Sequence, residues 1–345
     1  YSSAASDVYK RQIERCARSL FGQTYQNIEY IFVDDCTKDS SIAVLKKVLD
    51  DYPFRKEQVT IIHHNFNKGL SAARNTAFNH ATGDYIIHVD SDDYLELDAV
   101  QLLCKCIETE YADVVVFDNY CVYGNRIVEN HQHIPNDKTS YIKNLIERKN
   151  QSSIWGKMFL RKLVLDSGVQ SVESVNFGED YAVVPRLMYY AKKIVKLDEC
   201  LYYYVRYNKG SYTNNIALQS VNELYLANNV LEHFFSEQED CYLYNNSISL
   251  SKLRIQAYLL KISDRTLWDY IRQLNIEPIH EHSHLPLFDK ILLKPHSHKA
   301  HHSSIFKLPL LRRHSARRKS PWIMVLTRST IFLGSVSYTH LRAHE

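Results

Sequence analysis

Residues 85–89 form a strand-favouring run that ends in three carboxylates within four positions, Asp90, Asp92 and Asp93. A buried strand that delivers acids to a sheet edge is typical of open α/β sheets, which bind ligands there. Side chains alternate along an extended chain, so Asp90 and Asp92 are predicted to face one side, while Ser91 and Asp93 face the other. A hard cation, Mg²⁺ or Mn²⁺, would relieve the repulsion between these acids. The same motif also fits an acidic turn that caps the next helix.

Strand and helix patterns alternate along the first third of the chain, with short connections between them. Predicted strands cover residues 28–33, 59–63, 85–89 and 113–118, and predicted helices cover residues 13–21, 41–51, 71–81 and 97–109. Such alternation implies strands joined by right-handed crossovers. The predicted fold class is therefore α/β, a doubly wound, mostly parallel sheet with a C-terminal helical appendage.

Four regions differ in composition. Residues 1–12 resemble a translated adaptor sequence, as do residues 335–345, and we exclude both from the fold prediction. Residues 13–215 are predicted to form the α/β domain without its usual first strand, because the first helix follows the adaptor-like leader directly. Residues 216–277 have a helical pattern. Residues 278–345 are basic and His-rich, and we expect poor order there.

Composition limits the compartment and the partners. Hydrophobic content of 45% and charged content of 23% are those of a soluble globular protein. No apolar run approaches the roughly 20 residues of a membrane span. Seven scattered cysteines without a Cys-x-x-Cys pair indicate a reduced, cytoplasmic compartment. Residues 294–328 of the C-terminal region contain Lys and Arg but no Asp or Glu. No nucleic-acid recognition motif accompanies this positive charge.

Five motifs follow one another in a specific order. After the strand that ends in Asp34 and Asp35 come residues 67–75 (NKGLSAARN), residues 83–93, residues 155–157 (WGK), and the pair Glu179–Asp180. This order closely resembles family 2 glycosyltransferases of the GT-A fold over about residues 13–211. It is more specific than any single element.

The resemblance implies a set of donor-binding residues. An acid at the end of the second strand of the family's sheet, here Asp34 or Asp35, contacts the nucleotide base. Arg74 looks like a further nucleotide contact, because its planar fork suits carbonyl and phosphate oxygens. Asp90 would lie near the ribose.

The resemblance also implies the catalytic groups. Asp92 would coordinate the Mn²⁺ or Mg²⁺ ion that bridges the diphosphate and neutralises the leaving group. Asp180 resembles the catalytic base that takes the proton from the acceptor hydroxyl, and Glu179 suits that role less well.

The function that these roles imply is inverting, metal-dependent transfer of a sugar from a nucleotide-diphosphate donor, a UDP-sugar in most of the family. The expected acceptor is a carbohydrate or lipid-linked glycan of surface polysaccharide synthesis. The basic and apolar segment 306–313 is a candidate for peripheral contact with the inner face of the membrane. The Gln-x-x-Arg-Trp element of processive synthases is absent from the sequence.

Two other hypotheses remain open at this stage. Haloacid-dehalogenase-type phosphatases also place Asp-x-Asp at a strand end and use the first Asp as nucleophile, but Tyr94 stands where they carry a small or branched residue. A chain without its first strand could also be a non-catalytic nucleotide-sugar-binding fragment.

Each motif residue also has a purely structural interpretation. Asp34 and Asp35 could form a capping turn, Arg74 a surface ion pair, and Glu179–Asp180 the acidic first turn of a helix. We expect Trp155 to be a packed core aromatic. Arg206 and Ser211 match a diphosphate-contacting loop of the family only loosely, and the His-rich segments 280–284 and 296–302 are expected to be disordered.

Overall fold

A computed structural model describes residues 2–206 and 216–274, and it adds two short strands, 322–325 and 331–332. The predicted α/β class is confirmed, because helices and strands are interspersed from Tyr30 to Val205. The predicted features at Ser211 and at residues 280–284, 296–302 and 306–313 lie outside the described residues.

The strands are β1 Tyr30–Asp34, β2 Val59–His63, β3 Tyr85–Ile87, β4 Tyr94–Leu95, β5 Val114–Tyr123, β6 Arg126–Asn130, β7 Lys157–Leu160, β8 Ile194–Val205, β9 Trp322–Val325 and β10 Ile331–Phe332. The helices are α1 Ser2–Phe21, α2 Ser41–Asp50, α3 Leu70–His80, α4 Ala99–Glu110, α5 Lys138–Ile146, α6 Arg161–Ser167, α7 Glu179–Tyr190, α8 Leu218–Ser236, α9 Asn245–Ile262 and α10 Trp268–Gln273.

The strands form two sheets. Each sheet has one of the two C-terminal strands, β9 or β10, at its edge. In one ladder β1 pairs parallel with β2 and antiparallel with β9. The other runs in the order β10-β3-β7-β5-β8-β4, and β10 is parallel to β3. β1 and β3 therefore each have a neighbour drawn from the predicted tail.

Strand β7 runs antiparallel to both of its neighbours, β3 and β5, so the sheet is mixed. The long parallel pair of β5 and β8 shifts register near Asp118, where the ladder is irregular. This pair brings the end of β8 beside β4, with which β8 pairs antiparallel, and β4 directly follows the acidic motif.

Helix α1 and strand β1 share one part of the core. All five residues of β1 are buried, and α1 buries Cys16, Ala17, Leu20 and Phe21. Arg55 is also buried and donates hydrogen bonds to the carbonyl oxygens of residues 21, 23, 25 and 26. One guanidinium thus fixes the connection from α1 to β1.

The C-terminal helices α8 and α9 contribute to the same buried apolar cluster as the α/β part. The Tyr181 hydroxyl oxygen on α7 lies 2.7 Å from Ile146 O and 3.1 Å from Asn228 Oδ1 on α8. At the start of α7, a Cβ on Gly178 would lie 2.7 Å from Leu224 Cδ1 of α8. Helix α8 of the C-terminal helical region therefore packs directly against α7.

Several boundaries differ from the prediction. Helix α1 begins at Ser2 instead of residue 13 and so runs through the leader. β5 continues to Tyr123, past the predicted strand end at residue 118, and turns into β6 as a hairpin. A further long strand, β8, covers Ile194–Val205. β5 and β8 are both long because each provides backbone hydrogen-bond partners for the other.

All seven cysteines are free thiols. Among the described residues, no helix combines the length and hydropathy that crossing a bilayer requires.

Candidate active site

The three acids of the central motif lie in a turn that follows β3. The strand ends at Ile87, and the Asp93 N–H donates to Asp90 O at 3.0 Å, which closes a turn over residues 90–93. Ser91 and Asp93 are buried, whereas Asp90 and Asp92 are partly exposed. The predicted division of these four side chains is correct, although a turn and not an extended strand produces it.

Asp93 anchors this turn to β8. Its two carboxylate oxygens accept hydrogen bonds from the Tyr202 hydroxyl and the Val205 N–H, both at 2.7 Å. Burial raises the pKa of Asp93 well above its usual value, and the charges of Asp92 and Asp90 raise it further. The motif's third acid is therefore a structural residue that holds the other two in place.

Helix α1 supports the same turn from the other side. Arg15 Nη2 donates to Asp92 O at 2.9 Å, and its guanidinium lies 4.3 Å from the centre of the Tyr94 ring. The Cys16 thiol lies 3.7 Å from Asp90 O. No sequence motif indicates these contacts, because they join residues more than 70 positions apart.

The partly exposed pair Asp90 and Asp92 suits a hard divalent cation. The pKa of the neighbouring Asp93 responds to both charges, so the turn carries mutual repulsion that a cation would reduce. Mg²⁺ commonly binds through one or two carboxylates and completes its coordination with substrate phosphates and water. These residues fit that pattern with a diphosphate ligand.

Asp34 and Asp35 differ sharply in their surroundings at the end of β1. Asp35 is fully buried and accepts hydrogen bonds from the N–H groups of Lys68 and Gly69, at 2.7 and 2.8 Å, and from His64. Asp34 accepts from the Thr37 N–H at 2.7 Å and lies 2.8 Å from the exposed His63 ring. Asp35 thus fixes the loop before α3, and Asp34 is the better placed of the two to meet a ligand.

Arg74 lies close to carboxylates from two motifs that are far apart in the sequence. Its side chain is 2% exposed, and Nη1 lies 2.8 Å from Glu179 and 2.5 Å from Asp180. Nη2 lies 3.9 Å from Asp90 Oδ1. The acidic turn and the start of α7, 90 residues apart in sequence, therefore meet around one guanidinium.

The neighbouring Asn75 explains how α7 reaches this place. Its amide donates to Ser171 O and accepts from Ser171 N–H, both at 2.9 Å. The hydroxyl of Ser71 donates to Val175 O. α3 thus fixes the segment that leads into α7 through contacts on either side of Arg74.

Asp180 and Glu179 occupy different environments. Asp180 Oδ1 accepts from Arg74, and Oδ2 accepts from the Ile154 N–H at 3.1 Å. Burial raises the pKa of Glu179 to about 7, although the Arg74 guanidinium opposes the shift. Three carboxylates share one guanidinium here, so the site favours a proton on Glu179 near neutral pH.

Two other predicted positions are described. Trp155 is 5% exposed and stacks against Tyr202 and Tyr204, so it is the packed aromatic that was expected. Arg206 is exposed, and its guanidinium lies 5.6 and 5.7 Å from the rings of Tyr123 and Tyr204.

Asp118, His131 and Cys200 form a further cluster that could hold a metal ion. Asp118 already accepts hydrogen bonds from the Gln132 N–H and from Lys196, both at 2.8 Å, and pairs with His131. We interpret it as an ion-pair network that joins β5 to β8.

The sequence and fold match known proteins. A family model, "Glycosyl transferase family 2", matches residues 8–168. Glycosyltransferase GlyA of Streptococcus pneumoniae is 31% identical over 216 residues, which cover 58% of this chain but only 29% of GlyA. GlyG of the same organism is 28% identical over 268 residues, 74% of this chain and 85% of GlyG.

Among solved structures, S. aureus TarS residues 1–349 in complex with UDP-GlcNAc aligns with a TM-score of 0.53 at 18% identity. The alignment covers 77% of this chain and 85% of that one, and it supports the GT-A fold. The fold, the ordered motifs and the sequence matches together support a family 2 glycosyltransferase, with residues 8–168 as the matched region.

Proposed function

We propose that this glycosyltransferase catalyses metal-dependent, inverting transfer of a sugar from a UDP-sugar to a carbohydrate acceptor of surface polysaccharide synthesis. The observation that carries the proposal is the meeting of Asp90 and Asp180 at the Arg74 guanidinium. Donor-side and acceptor-side carboxylates in one cleft are what a single-displacement transfer requires. The UDP-GlcNAc in the TarS crystal structure supports a uridine nucleotide as donor.

Each residue has a defined part in the proposed reaction. Asp34 binds the base, and Asp90 binds the ribose. Arg74 bridges the donor and acceptor sides of the cleft. Asp92 would hold a Mn²⁺ or Mg²⁺ ion, whose charge would stabilise a diphosphate leaving group. Asp180 takes the proton from the acceptor hydroxyl, whose oxygen attacks the anomeric carbon from the face opposite the diphosphate. An α-linked donor then gives a β-linked product.

The acceptor and the site of action belong to the same proposal. A lipid-linked glycan would present its sugar at the inner face of the membrane, where the basic tail segment could bind anionic lipid. No nucleic acid takes part.

The direct test measures UDP release from a panel of UDP-sugars with Mn²⁺ or Mg²⁺, in the presence of glycan acceptors. Asp92→Asn and Asp180→Asn should each reduce turnover by about 100-fold or more. Asp269→Asn is the matched control, because the Asp269 side chain is 95% exposed on α10. Intact turnover in Asp180→Asn would refute the assigned base.

The alternative of a non-catalytic nucleotide-sugar-binding fragment is tested with the same proteins. Calorimetry that detects donor binding, with no turnover for any donor and acceptor pair, would favour that alternative. A phosphoaspartate trapped on Asp90 would instead revive the phosphatase hypothesis.

A further inference from the structure

Lys157 is a buried cation that the proposed reaction does not use. It is the first residue of β7 and has no measurable exposure, and buried lysines are rare unless they are paired. The polar contacts described for its ammonium group are both with backbone carbonyl groups. Burying an ammonium group costs free energy because it loses its hydration, so a buried lysine indicates a structural or functional role.

The partners of Lys157 are two carbonyl groups of one short loop. Nζ donates to Gln151 O at 3.1 Å and to Ser153 O at 2.7 Å. We define residues 151–154 as the base loop, because its next amide, the Ile154 N–H, donates to Asp180 Oδ2 at 3.1 Å. One side chain therefore fastens the backbone that contacts the proposed base.

The other oxygen of Asp180 is held independently. Arg74 Nη1 binds Oδ1 from α3, whereas the base loop binds Oδ2 from the start of β7. Two supports from different elements fix both the position and the rotation of a carboxylate. Loss of the loop support would leave Arg74 as the one remaining hydrogen-bond donor described for this carboxylate.

We propose that Lys157 is a positioning residue for the proposed base, and that it acts by holding the base loop against Asp180. This inference rests on the proposed function, since it concerns how Asp180 is aimed at the acceptor hydroxyl. Lys157 contacts neither Asp34 nor Asp92 in the described hydrogen bonds, so donor affinity should not depend on it.

The electrostatics agree with this geometry. Burial lowers the pKa of Lys157 to about 7, while the Asp180 carboxylate opposes the shift. The amine keeps at least two N–H donors in either protonation state, so it can hold both carbonyl groups across neutral pH.

The test replaces Lys157 with methionine, which has a similar length but no donor. Lys157→Met should lower kcat by about 10- to 100-fold, because a small misplacement of a catalytic group costs that much. The KM for the UDP-sugar should stay within about twofold, since uniform binding is not affected.

Lys138→Met is the matched control. Lys138 Nζ also donates to two carbonyl groups, Tyr189 O and Ala191 O, each at 2.9 Å, but at the far end of α7. Its loss removes the same kind of contact without touching the base loop. A kcat for Lys157→Met no lower than that for Lys138→Met would overturn the proposal.

Two further measurements separate the possible failures. If Lys157→Met does not fold, Lys157→Gln, whose amide keeps two N–H donors but on a shorter side chain, should still lower kcat at unchanged KM. If Asp180→Asn retains full turnover, the proposed function itself fails. If Asp180→Asn is inactive and Lys157→Met is fully active, only the positioning role fails.

Discussion

At the scale of residues, the charge around Arg74 determines how the site responds to pH. Asp90, Glu179 and Asp180 share one guanidinium, and burial raises the pKa of Glu179 from 4.5 to about 7. The folded state therefore binds more protons at Glu179 than the unfolded state between these two values. Stability should fall as the pH rises through this window.

We predict that Glu179→Gln removes this pH dependence. The free energy of unfolding of the wild type should decrease by about 1 to 3 kcal/mol between pH 4.5 and 7.5 relative to the variant, because one pKa unit corresponds to about 1.4 kcal/mol. Urea titrations at a series of pH values measure the difference. Glu237→Gln, at an exposed position on the surface, serves as the control. Parallel pH curves for wild type and Glu179→Gln would contradict the prediction.

The acids of the site could be predicted from the sequence, but their supports could not. Asp90, Asp92 and Asp180 stand in motifs whose order is distinctive. Tyr202, by contrast, reaches Asp93 across 109 positions, and nothing local distinguishes it from the other tyrosines of its strand. Motif order points to the candidate site acids, whereas long-range packing determines which residues hold them in place.

At the scale of elements, the start of α7 depends on close contact with α8. Gly178 precedes the helix with φ near +90°, and a Cβ there would lie 2.7 Å from Leu224 Cδ1. Gly168, which ends α6, has φ near +62° but open space around its missing side chain. Replacing Gly168 therefore tests backbone strain alone, whereas replacing Gly178 tests backbone strain together with a steric clash.

We predict that Gly178→Ala is more destabilising than Gly168→Ala. Gly168→Ala should lower the free energy of unfolding by about 1 kcal/mol, the cost of positive φ for a residue with a Cβ. Gly178→Ala should cost about 1 to 3 kcal/mol more, because Leu224 must also move. It should also reduce kcat, since the shift displaces Glu179 and Asp180. Equal stabilities of the two variants in thermal unfolding would show that Leu224 of α8 can move away from the added Cβ at little cost in free energy.

Element prediction succeeded where apolar periodicity is strong and failed where it is weak. Strand β2 was predicted with its observed bounds, because its residues are strand-forming and a turn follows. The β5–β6 hairpin was missed because β6 is polar and largely exposed, so its pairing with β5 leaves little hydrophobic pattern. Its existence depends on backbone hydrogen bonds that a sequence pattern does not record.

At the scale of the whole molecule, the helical region and the α/β part share one buried apolar cluster. Leu231 on α8 is fully buried in it, whereas Leu226 on the same helix is 37% exposed. A shared core predicts that damage to α8 spreads to the sheet.

We predict that Leu231→Ala lowers the free energy of unfolding by about 2 to 5 kcal/mol in a single transition. Circular dichroism and tryptophan fluorescence should report the same urea midpoint. Leu226→Ala, the control, should change stability by less than about 0.5 kcal/mol. Two separated transitions in Leu231→Ala would instead show that the helices unfold independently of the sheet.

The anchoring of Asp93 by Tyr202 and Val205 has a consequence for how the enzyme matures during translation. A ribosome completes residues 90–93 long before it adds the strand that holds them, so the growing polypeptide carries its acidic turn for more than a hundred codons without that anchor. The proposed donor site should therefore be complete only once residue 205 has left the exit tunnel.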